Sequence, residues 1–567
     1  MERRHVVVPL LSAVVLLFVL AAFTTPAAAA SIDVENTLAQ DDRDDYIAVE
    51  TAVSVPENTA ELEVTLPEGA VPERAVGFSQ TADSDDRTFE WTGETTEPTV
   101  EYAYEATVRE QRGGHEGLFY VDADAWAIVR TPLIGLSWRG PDAEVVRENR
   151  VDGPGVASSH MAYLGPHEQH TRTAAGQQFS LVVPAAADLR ESPEAILDSL
   201  TAAAGRLDIG SRNENVFVIA APTEFHEWGP AGLQRGPAGD MWVRDREPLD
   251  TARNAWVHEY VHTRQAFNDA PDRHTDATRW TVEGMADYYA ALLSYEAGDI
   301  DAETFRDRLE RGAGEEYADV RLVDPDTWEE TNADYDRGAL VFGHIDRRLR
   351  AEADTTLNAV VASMNDADPL THEAFLDAVE EAGGSDIRAD AERYTETTAA
   401  PSVWDRGEHA AAFSDTPAYV SAVSVTPETA EVGEPITVSA TVESAADGVE
   451  HTVTFTVDGE PADTETVTVD GATNATGVIE FDEPGEYAVG ADDVSTTVTV
   501  TDEPANGEDA ASDDETATPE TTATPDEATP TPGATDDDLP MPEAQSGFGV
   551  VAAVLALLAV VVSARRR

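Results

Sequence analysis

The order of apolar and polar residues divides the chain into segments of different type. Runs in which every second residue is apolar, such as residues 47–53 and 61–66, recur from residue 31 to about residue 175 between prolines and glycines. Alternation with period two is typical of half-buried strands. An antiparallel β domain is therefore predicted for residues 31–175.

Residues 176–415 carry a different pattern. A helix is predicted to begin at Ser192, because this N-cap residue precedes Pro193 at the first helical position. Residues 216–220 form a short apolar run that is typical of a strand, and helical periodicity dominates the remainder. One mixed α/β unit with a helical second half is predicted for residues 176–415.

Strand patterns return in residues 416–502. Alternating runs over residues 435–442 and 451–457 are separated from the following runs by Asp-Gly pairs that begin at Asp458 and Asp470. Asp-Gly favours tight hairpin turns. About 85 residues with this spacing predict an immunoglobulin-like β-sandwich.

The N-terminus has the three-part pattern of a secretory signal. Residues 1–30 contain Arg3 and Arg4, then an apolar stretch, then small residues that end at Ala30. This pattern predicts a signal peptide cleaved after Ala30, with an uncleaved membrane anchor as the alternative. The choice between general and twin-arginine export stays open.

The C-terminus is predicted to anchor the chain. Residues 503–545 are acidic, rich in Thr and Pro and without aromatics, a composition that predicts a disordered stalk. Residues 546–567 contain an apolar run, Phe548 to Ala564, closed by three arginines. This tail predicts a transmembrane helix whose C-terminus is inside the cell, so the bulk of the chain lies outside.

Composition excludes several classes of function. With 36 basic and 110 acidic residues the net charge is −74, which excludes a nucleic-acid-binding protein because phosphate contacts need clustered cations. Every basic residue is Arg, and an acidic, lysine-free surface resembles the proteins of halophilic archaea. The chain has no Cys, which excludes disulfides, thiolate metal ligands and a cysteine nucleophile.

One segment has the spacing of a metal-binding helix. His258, Glu259 and His262 form the pattern HExxH. On a helix, residues i and i+4 share a face, so both imidazoles reach one metal while the carboxylate lies beside the attacking water. His258 and His262 are therefore candidate metal ligands, and Glu259 is the candidate general base.

A second helical run follows at residue 280 and supplies further acids. Glu283 in this run is the candidate third ligand, which leaves a fourth position for water or substrate, as a catalytic Zn²⁺ site requires. Asp287, four residues later, shares its helix face and is placed to accept the free ring N–H of a ligating histidine. The alternative for Asp287 is a solvated helix acid.

HExxH followed by the segment W-x-x-E-G-x-A-x-Y-Y, which begins at Trp280, resembles the gluzincin metallopeptidases, in particular the aminopeptidase N and glycyl aminopeptidase superfamily. The gap of residues 263–282 is two residues longer than is usual in that family. The resemblance implies a thermolysin-like α+β zinc peptidase domain. His274 in this gap is expected to be solvated, because the ligand set is complete without it.

The same family has a Y-x-K-G segment whose tyrosine donates its hydroxyl to the oxyanion. Tyr335 begins a matching segment in which Arg337 replaces the lysine. The resemblance therefore implies that Tyr335 is a catalytic residue. By itself, Tyr335 would be interpreted as a core tyrosine.

Exopeptidases of this superfamily also carry a G-x-M-E-N segment whose glutamate holds the substrate amine. The corresponding stretch here, residues 229–244, contains no Glu, and Asp240 is the candidate replacement. Its glycines favour a strand that pairs with an extended peptide. Aminopeptidase and endopeptidase action both stay open.

The C-terminal tail is similar to the archaeal sorting tail read by archaeosortase. Ser546 stands where that family's Pro-Gly-Phe motif has proline, so cleavage of the tail stays open. The whole chain is interpreted as a zinc metallopeptidase, anchored on the cell surface, that acts on peptides or proteins and whose stalk contacts the cell-wall layer. The alternatives are a surface binding or adhesion protein with an inactive site, and a hydrolase of a non-peptide substrate.

Overall fold

The computed structural model describes residues 30–502, apart from residues 82–86, 113–114, 124, 225–226, 238, 271, 415–417 and 445–447. All but the last residue of the predicted signal peptide lies outside this part, as do the whole stalk and tail. Among the helices of the described residues, none is both long and apolar enough to cross a membrane.

The N-terminal part is built of strands, as the alternating pattern predicts. These strands are β1 Ala30–Gln40, β2 Tyr46–Ser54, β3 Glu61–Thr65, β4 Val71–Val76, β5 Phe78–Gln80, β6 Thr88–Trp91, β7 Thr99–Glu105, β8 Val108–Arg112, β9 His115–Asp122, β10 Ala127–Arg130, β11 Gly135–Arg139, β12 Ala143–Val151, β13 Gly155–Ala157 and β14 Met161–Leu164. They form three sheets, in the orders β12-β1-β2-β7-β4, β13-β14-β10-β9-β8 and β11-β3-β6-β5.

The chain divides into two compact units, each of which is made of several separate segments of the sequence. Of the described residues, the first takes residues 30–37, Val49–Ala103 and Leu133–Glu148. The second takes Leu38–Ala48, Tyr104–Pro132 and residues 149–502. All candidate site residues belong to the second unit.

A mixed sheet opens the segment that carries the candidate site. Its strands are β15 His167–Ala174, β16 Gln177–Pro184, β17 Asn215–Ala221, β18 Gly232–Arg235 and β19 Asp240–Arg244, in the order β15-β16-β17-β19-β18. Strands β16, β17 and β19 run parallel, while β15 and β18 are antiparallel to their neighbours. Strand β18 is an edge of this sheet.

The boundary predicted at residue 175 lies inside a hairpin of this sheet. Ala175 and Gly176 both have positive φ, 50° and 78°, and form the tight turn between β15 and β16. Positive φ at two successive residues matches the twist of paired strands. Strand β15, which the sequence pattern assigns to the N-terminal domain, therefore belongs to the same sheet as β16.

Helices form the rest of this segment. They are α1 Pro193–Arg206, α2 Ala255–His262, α3 Trp280–Ala297, α4 Ala302–Glu310, α5 Ala333–Glu352, α6 Leu357–Asp366, α7 His372–Gly383, α8 Ser385–Glu396 and α9 Arg406–Phe413. The predicted start of α1 is confirmed, since the Ser192 side chain accepts a hydrogen bond from the amide of Ala195. The strand predicted at residues 216–220 is β17.

Helix α3 passes through the middle of the helical core. Every residue from Trp280 to Ser294 is buried, and Trp280 packs against Phe342 of α5 and Phe375 of α7. Such a helix has no solvated face, so any charged residue on it needs a partner inside the protein.

The C-terminal part consists of two sheets around one core. Its strands are β20 Ala418–Thr426, β21 Thr429–Glu431, β22 Ile436–Ser444, β23 Val449–Val457, β24 Glu460–Val469, β25 Ala472–Ile479, β26 Gly485–Ala491 and β27 Val494–Thr501. One sheet has the order β20-β22-β25 and the other β21-β27-β26-β23-β24. Buried residues of both sheets, Val438 and Phe455 among them, form one hydrophobic cluster.

Candidate metal centre and active site

Helix α2 carries the HExxH residues and is buried along its length. It begins after Asn254, whose side-chain oxygen accepts a hydrogen bond from the amide of Val257 at 3.2 Å. It ends at His262 and does not continue through residues 263–267, which lack Pro and Gly. The hydroxyl of Thr263 donates to the carbonyl of Tyr260 at 2.7 Å, and such local bonds compete with helix continuation.

Three side-chain atoms meet at one point inside the protein. The Nε2 atoms of His258 and His262 are 3.1 Å apart, and Oε2 of Glu283 lies 3.2 Å from the first and 3.5 Å from the second. The three residues are 1%, 8% and 2% exposed. The structure thus brings the three predicted ligands together.

The geometry of these atoms fits Zn²⁺. Zinc bonds of about 2.0–2.1 Å at tetrahedral angles place neighbouring ligand atoms about 3.3 Å apart. The second carboxylate oxygen of Glu283 is buried and has no hydrogen-bond partner among the described residues. Two neutral imidazoles and one carboxylate are a ligand set of catalytic zinc sites, with one coordination position left for water or substrate.

The ionisation states of these three side chains favour a bound cation. Burial lowers the pKa of His258 to about 4. Burial also opposes protonation of His262, but the carboxylates of Glu283 and Glu259 outweigh it and raise the pKa to about 9. For Glu283 burial is outweighed by the two histidines, which lower its pKa to about 2. Without metal, a proton on His262 supplies the positive charge.

Gln265 fixes the orientation of one candidate ligand. Its Oε1 lies 2.9 Å from Nδ1 of His262, and its Nε2 donates to the carbonyl of Val282 at 2.7 Å. Because the amide nitrogen is used by Val282, the oxygen accepts the proton of Nδ1, which leaves Nε2 of His262 for the metal. Sequence analysis did not select Gln265.

The candidate general base lies against the edge of the sheet. Glu259 is 4% exposed, and burial raises its pKa to about 8. A Cβ on Gly232 of strand β18 would be 2.5 Å from Cγ and 2.8 Å from Oε1 of Glu259. Only glycine at residue 232 leaves room for this carboxyl group, which explains one glycine of the stretch 229–244.

Tyr335 packs beside His258. The two rings are nearly parallel, with centroids 6.2 Å apart and an interplanar angle of 13°. The hydroxyl is buried close to the carboxylate of Glu283 and makes no hydrogen bond of good geometry among the described residues. Burial and the carboxylate of Glu283 raise the pKa of this hydroxyl well above its ordinary value, so it remains a donor.

The arginine of the Y-x-R-G segment has a structural role. Arg337 is buried and donates to the carbonyls of Gly312 at 2.6 Å and Tyr317 at 3.0 Å. These bonds tie the start of α5 to the preceding loop. Arg337 therefore supports the turn on which Tyr335 lies.

Asp287 lies behind His258 but is not hydrogen-bonded to it. Its Oδ1 is 4.0 Å from Nδ1 of His258, which exceeds a hydrogen-bond length. Its other oxygen contacts the guanidinium of Arg308. The alternative of a solvated helix acid is wrong, because Asp287 is fully buried.

Two expectations for other residues need correction. Asp240 does not hold a substrate amine, because it is fully buried and accepts hydrogen bonds from Ser158 Oγ and from the amides of His160 and Met161. His274 is half-buried rather than solvated, with Nδ1 3.2 Å from the carbonyl of Phe267.

Comparison with solved structures finds matches at low sequence identity. An M1 zinc metallopeptidase from Deinococcus radiodurans matches with 16% identity and a TM-score of 0.43, over 66% of this chain and 95% of that one. An aminopeptidase N family protein from Idiomarina loihiensis matches with 12% identity and a TM-score of 0.46, over 82% and 96% of the two chains. Aminopeptidase A of Legionella pneumophila matches with 13% identity and a TM-score of 0.38, over 80% and 57%. No protein-family model and no curated protein matches the chain.

Proposed function

We propose that the chain is a zinc-dependent metallopeptidase that hydrolyses peptide bonds. The observation that supports this best is the meeting of His258, His262 and Glu283 at spacings that suit zinc. The buried carboxyl group of Glu259 and the buried hydroxyl of Tyr335 lie at the same place.

Each residue has a distinct task in this reaction. Bound zinc would act as a Lewis acid that activates water near neutral pH and polarises the carbonyl. Glu259, adjacent to His258 in sequence, takes the proton of the attacking water and passes it to the leaving amine. Glu259 is 4% exposed, so the proton that it takes is shielded from bulk water between the two steps.

Tyr335 stabilises the charge that forms on the carbonyl oxygen. Its hydroxyl makes no hydrogen bond of good geometry among the described residues, so it is available to donate to a developing oxyanion. A donor that is used only in the transition state lowers the barrier and does not tighten substrate binding.

The edge strand supports a peptide as the substrate. Strand β18 pairs with β19 on one side, and among the described residues no strand pairs with its other side. An extended peptide that adds to such an edge is held by backbone hydrogen bonds that do not depend on sequence. Because Gly232 of β18 lies against Glu259, a peptide on this edge passes beside the general base.

The proposal also places the enzyme on the outer face of the cell. It is supported by the leader pattern of residues 1–30 and by the apolar tail of residues 546–567. Mass spectrometry of the mature protein from cell envelopes should find an N-terminus at Ser31. A protein found in the cytoplasm with residues 1–30 attached would contradict this location.

The test of the activity begins with the purified full chain in multi-molar salt, which the acidic composition calls for. A chelator removes the metal, and Zn²⁺ is then restored to half of the sample. Both halves are incubated with a defined peptide mixture whose products are identified by mass spectrometry.

Cleavage by the zinc-loaded half alone is expected. Internal cuts would define an endopeptidase, and stepwise loss of N-terminal residues an aminopeptidase. Stoichiometric zinc without cleavage of any peptide would contradict the proposal and favour an adhesion protein or a non-peptide substrate.

A further inference from the structure

A buried ion-pair cluster lies directly behind the metal centre. Its centre is Arg308 of helix α4, whose side chain is 3% exposed. The guanidinium contacts the carboxylate of Asp287 on α3 and lies 2.8 Å from Oδ1 of Asp336 on α5. One side chain thus joins three helices through two carboxylates.

Each carboxylate is next to a residue of the active site. Asp287 follows the ligand Glu283 by one helical turn, and its Oδ1 is 4.0 Å from the ring of the ligand His258. Asp336 directly follows Tyr335. Arg308 therefore links the back of the metal centre to the turn that carries the oxyanion donor.

Asp336, at one end of the cluster, has further hydrogen-bond donors. Asp336 also accepts a hydrogen bond from the hydroxyl of Tyr317 at 2.6 Å and from Arg253 at 3.2 Å. Two carboxylates and two guanidiniums balance in charge, as buried ions require. Because Tyr317 and Arg253 hold Asp336 independently of Arg308, Asp336 fixes the position of the Arg308 guanidinium, which in turn contacts Asp287.

We propose that Arg308 is a positioning residue of the metal centre. It holds Asp287 behind His258, and it holds the turn that carries Tyr335 in register with the metal ligands. The inference rests on the zinc site of the proposed function but not on peptide hydrolysis. A lysine at position 308 would keep the charge but lack the planar fork that reaches both carboxylates at once.

Cobalt tests this role without any need for activity. Co²⁺ replaces Zn²⁺ in the metal-free full chain, and its visible absorption spectrum reports the geometry of the ligands. Arg308→Lys and Arg308→Met are expected to shift the spectrum and to weaken Zn²⁺ binding about 10- to 100-fold in competition with a chelator, as for other residues that orient metal ligands.

Arg350 provides a matched control. It is largely buried on α5, pairs with Asp346 at 2.9 Å, and lies fifteen residues from Tyr335 on the same helix, about 22 Å away. Arg350→Met is expected to lower the melting temperature but to leave the cobalt spectrum and the zinc affinity unchanged.

The outcomes separate positioning from general stability. A wild-type spectrum and affinity in Arg308→Met, or an equal change in Arg350→Met, would overturn the inference. Should Arg308→Met fail to fold, Arg308→Lys and Asp336→Asn serve instead, and wild-type spectra in both would overturn it. Absence of peptidase activity in the wild type would overturn the proposed function but leave this test valid.

Discussion

Gly284 and Gly338 bring two helices into backbone contact beside the metal centre. A Cβ built on Gly284 would lie 2.7 Å from Cα of Gly338, and one built on Gly338 would lie 2.8 Å from Cα of Gly284. Gly284 follows the ligand Glu283, and Gly338 lies one turn after Tyr335. The glycine pair therefore sets the distance between Glu283 and Tyr335.

The first prediction concerns this contact. Gly338→Ala should lower the free energy of unfolding by about 1–3 kcal/mol, because a methyl group forces apart two helices that cannot move independently. The altered position of α3 should also weaken zinc binding. Urea unfolding and zinc titration measure the two effects.

The control for this variant is Gly205 of helix α1, where a Cβ would meet no atom within 4 Å. Gly205→Ala should leave zinc binding unchanged and stabilise the protein by about 0.4–1 kcal/mol, because alanine restricts the unfolded chain. Equal stability of Gly338→Ala and wild type would contradict the role of the glycine contact.

The second prediction concerns the orientation of His262. Gln265→Leu removes the acceptor of the Nδ1 proton and should weaken zinc binding about 10- to 100-fold. Gln265→Glu keeps the acceptor oxygen and should bind zinc more tightly than Gln265→Leu. Competition with a chromogenic chelator gives both affinities, and equal affinities for the two variants would show that Gln265 does not orient the ligand.

The candidate ligands of the site were predictable because each is marked by a local sequence pattern. His258 and His262 are one helical turn apart, and Glu283 lies in the first turn of a recognisable second helix. Gln265 was not predictable, since its role depends on the carbonyl of Val282 at the far end of a loop.

Ion pairs between residues far apart in the chain cannot be predicted from local sequence patterns. The ion pair between Arg308 and Asp287 joins two helices. The chain has 36 arginines and 110 acidic residues, and no pattern in the sequence identifies this pair. The boundary predicted at residue 175 fell inside a hairpin for a similar reason, because alternation identifies strands but not the sheet to which they belong.

The third prediction separates the hydroxyl of Tyr335 from its ring. Tyr335→Phe should retain the ring contact with His258 and full zinc content. Loss of one oxyanion donor should reduce kcat by about 10²- to 10³-fold with little change in KM. A wild-type kcat in Tyr335→Phe would exclude the hydroxyl from the reaction.

The fourth prediction concerns the number of protons that zinc binding releases. Without metal, the pKa values of about 9 for His262 and about 8 for Glu259 leave both groups protonated at pH 7, and burial and charge keep His258 neutral and Glu283 ionised. Zinc binding at pH 7 should therefore release about two protons from the wild type and about one from Glu259→Gln.

Calorimetry in buffers of different ionisation enthalpy counts these protons. The pKa of His262 is raised, so its proton is present below pH 9 and absent above it. Zinc affinity should accordingly rise with pH up to about pH 9 and then level off. Equal proton release by the wild type and Glu259→Gln would contradict the assignment of the second proton.

The central claim is that this buried site hydrolyses peptides with Glu259 as the base. Its most direct test measures zinc content and the rate of cleavage of one peptide in the same samples of wild type and Glu259→Gln. We predict that the two proteins fold and bind zinc equally well, and that the variant cleaves the peptide about 10²- to 10⁴-fold more slowly. Cleavage by the variant at the wild-type rate, with zinc bound in both, would contradict the account.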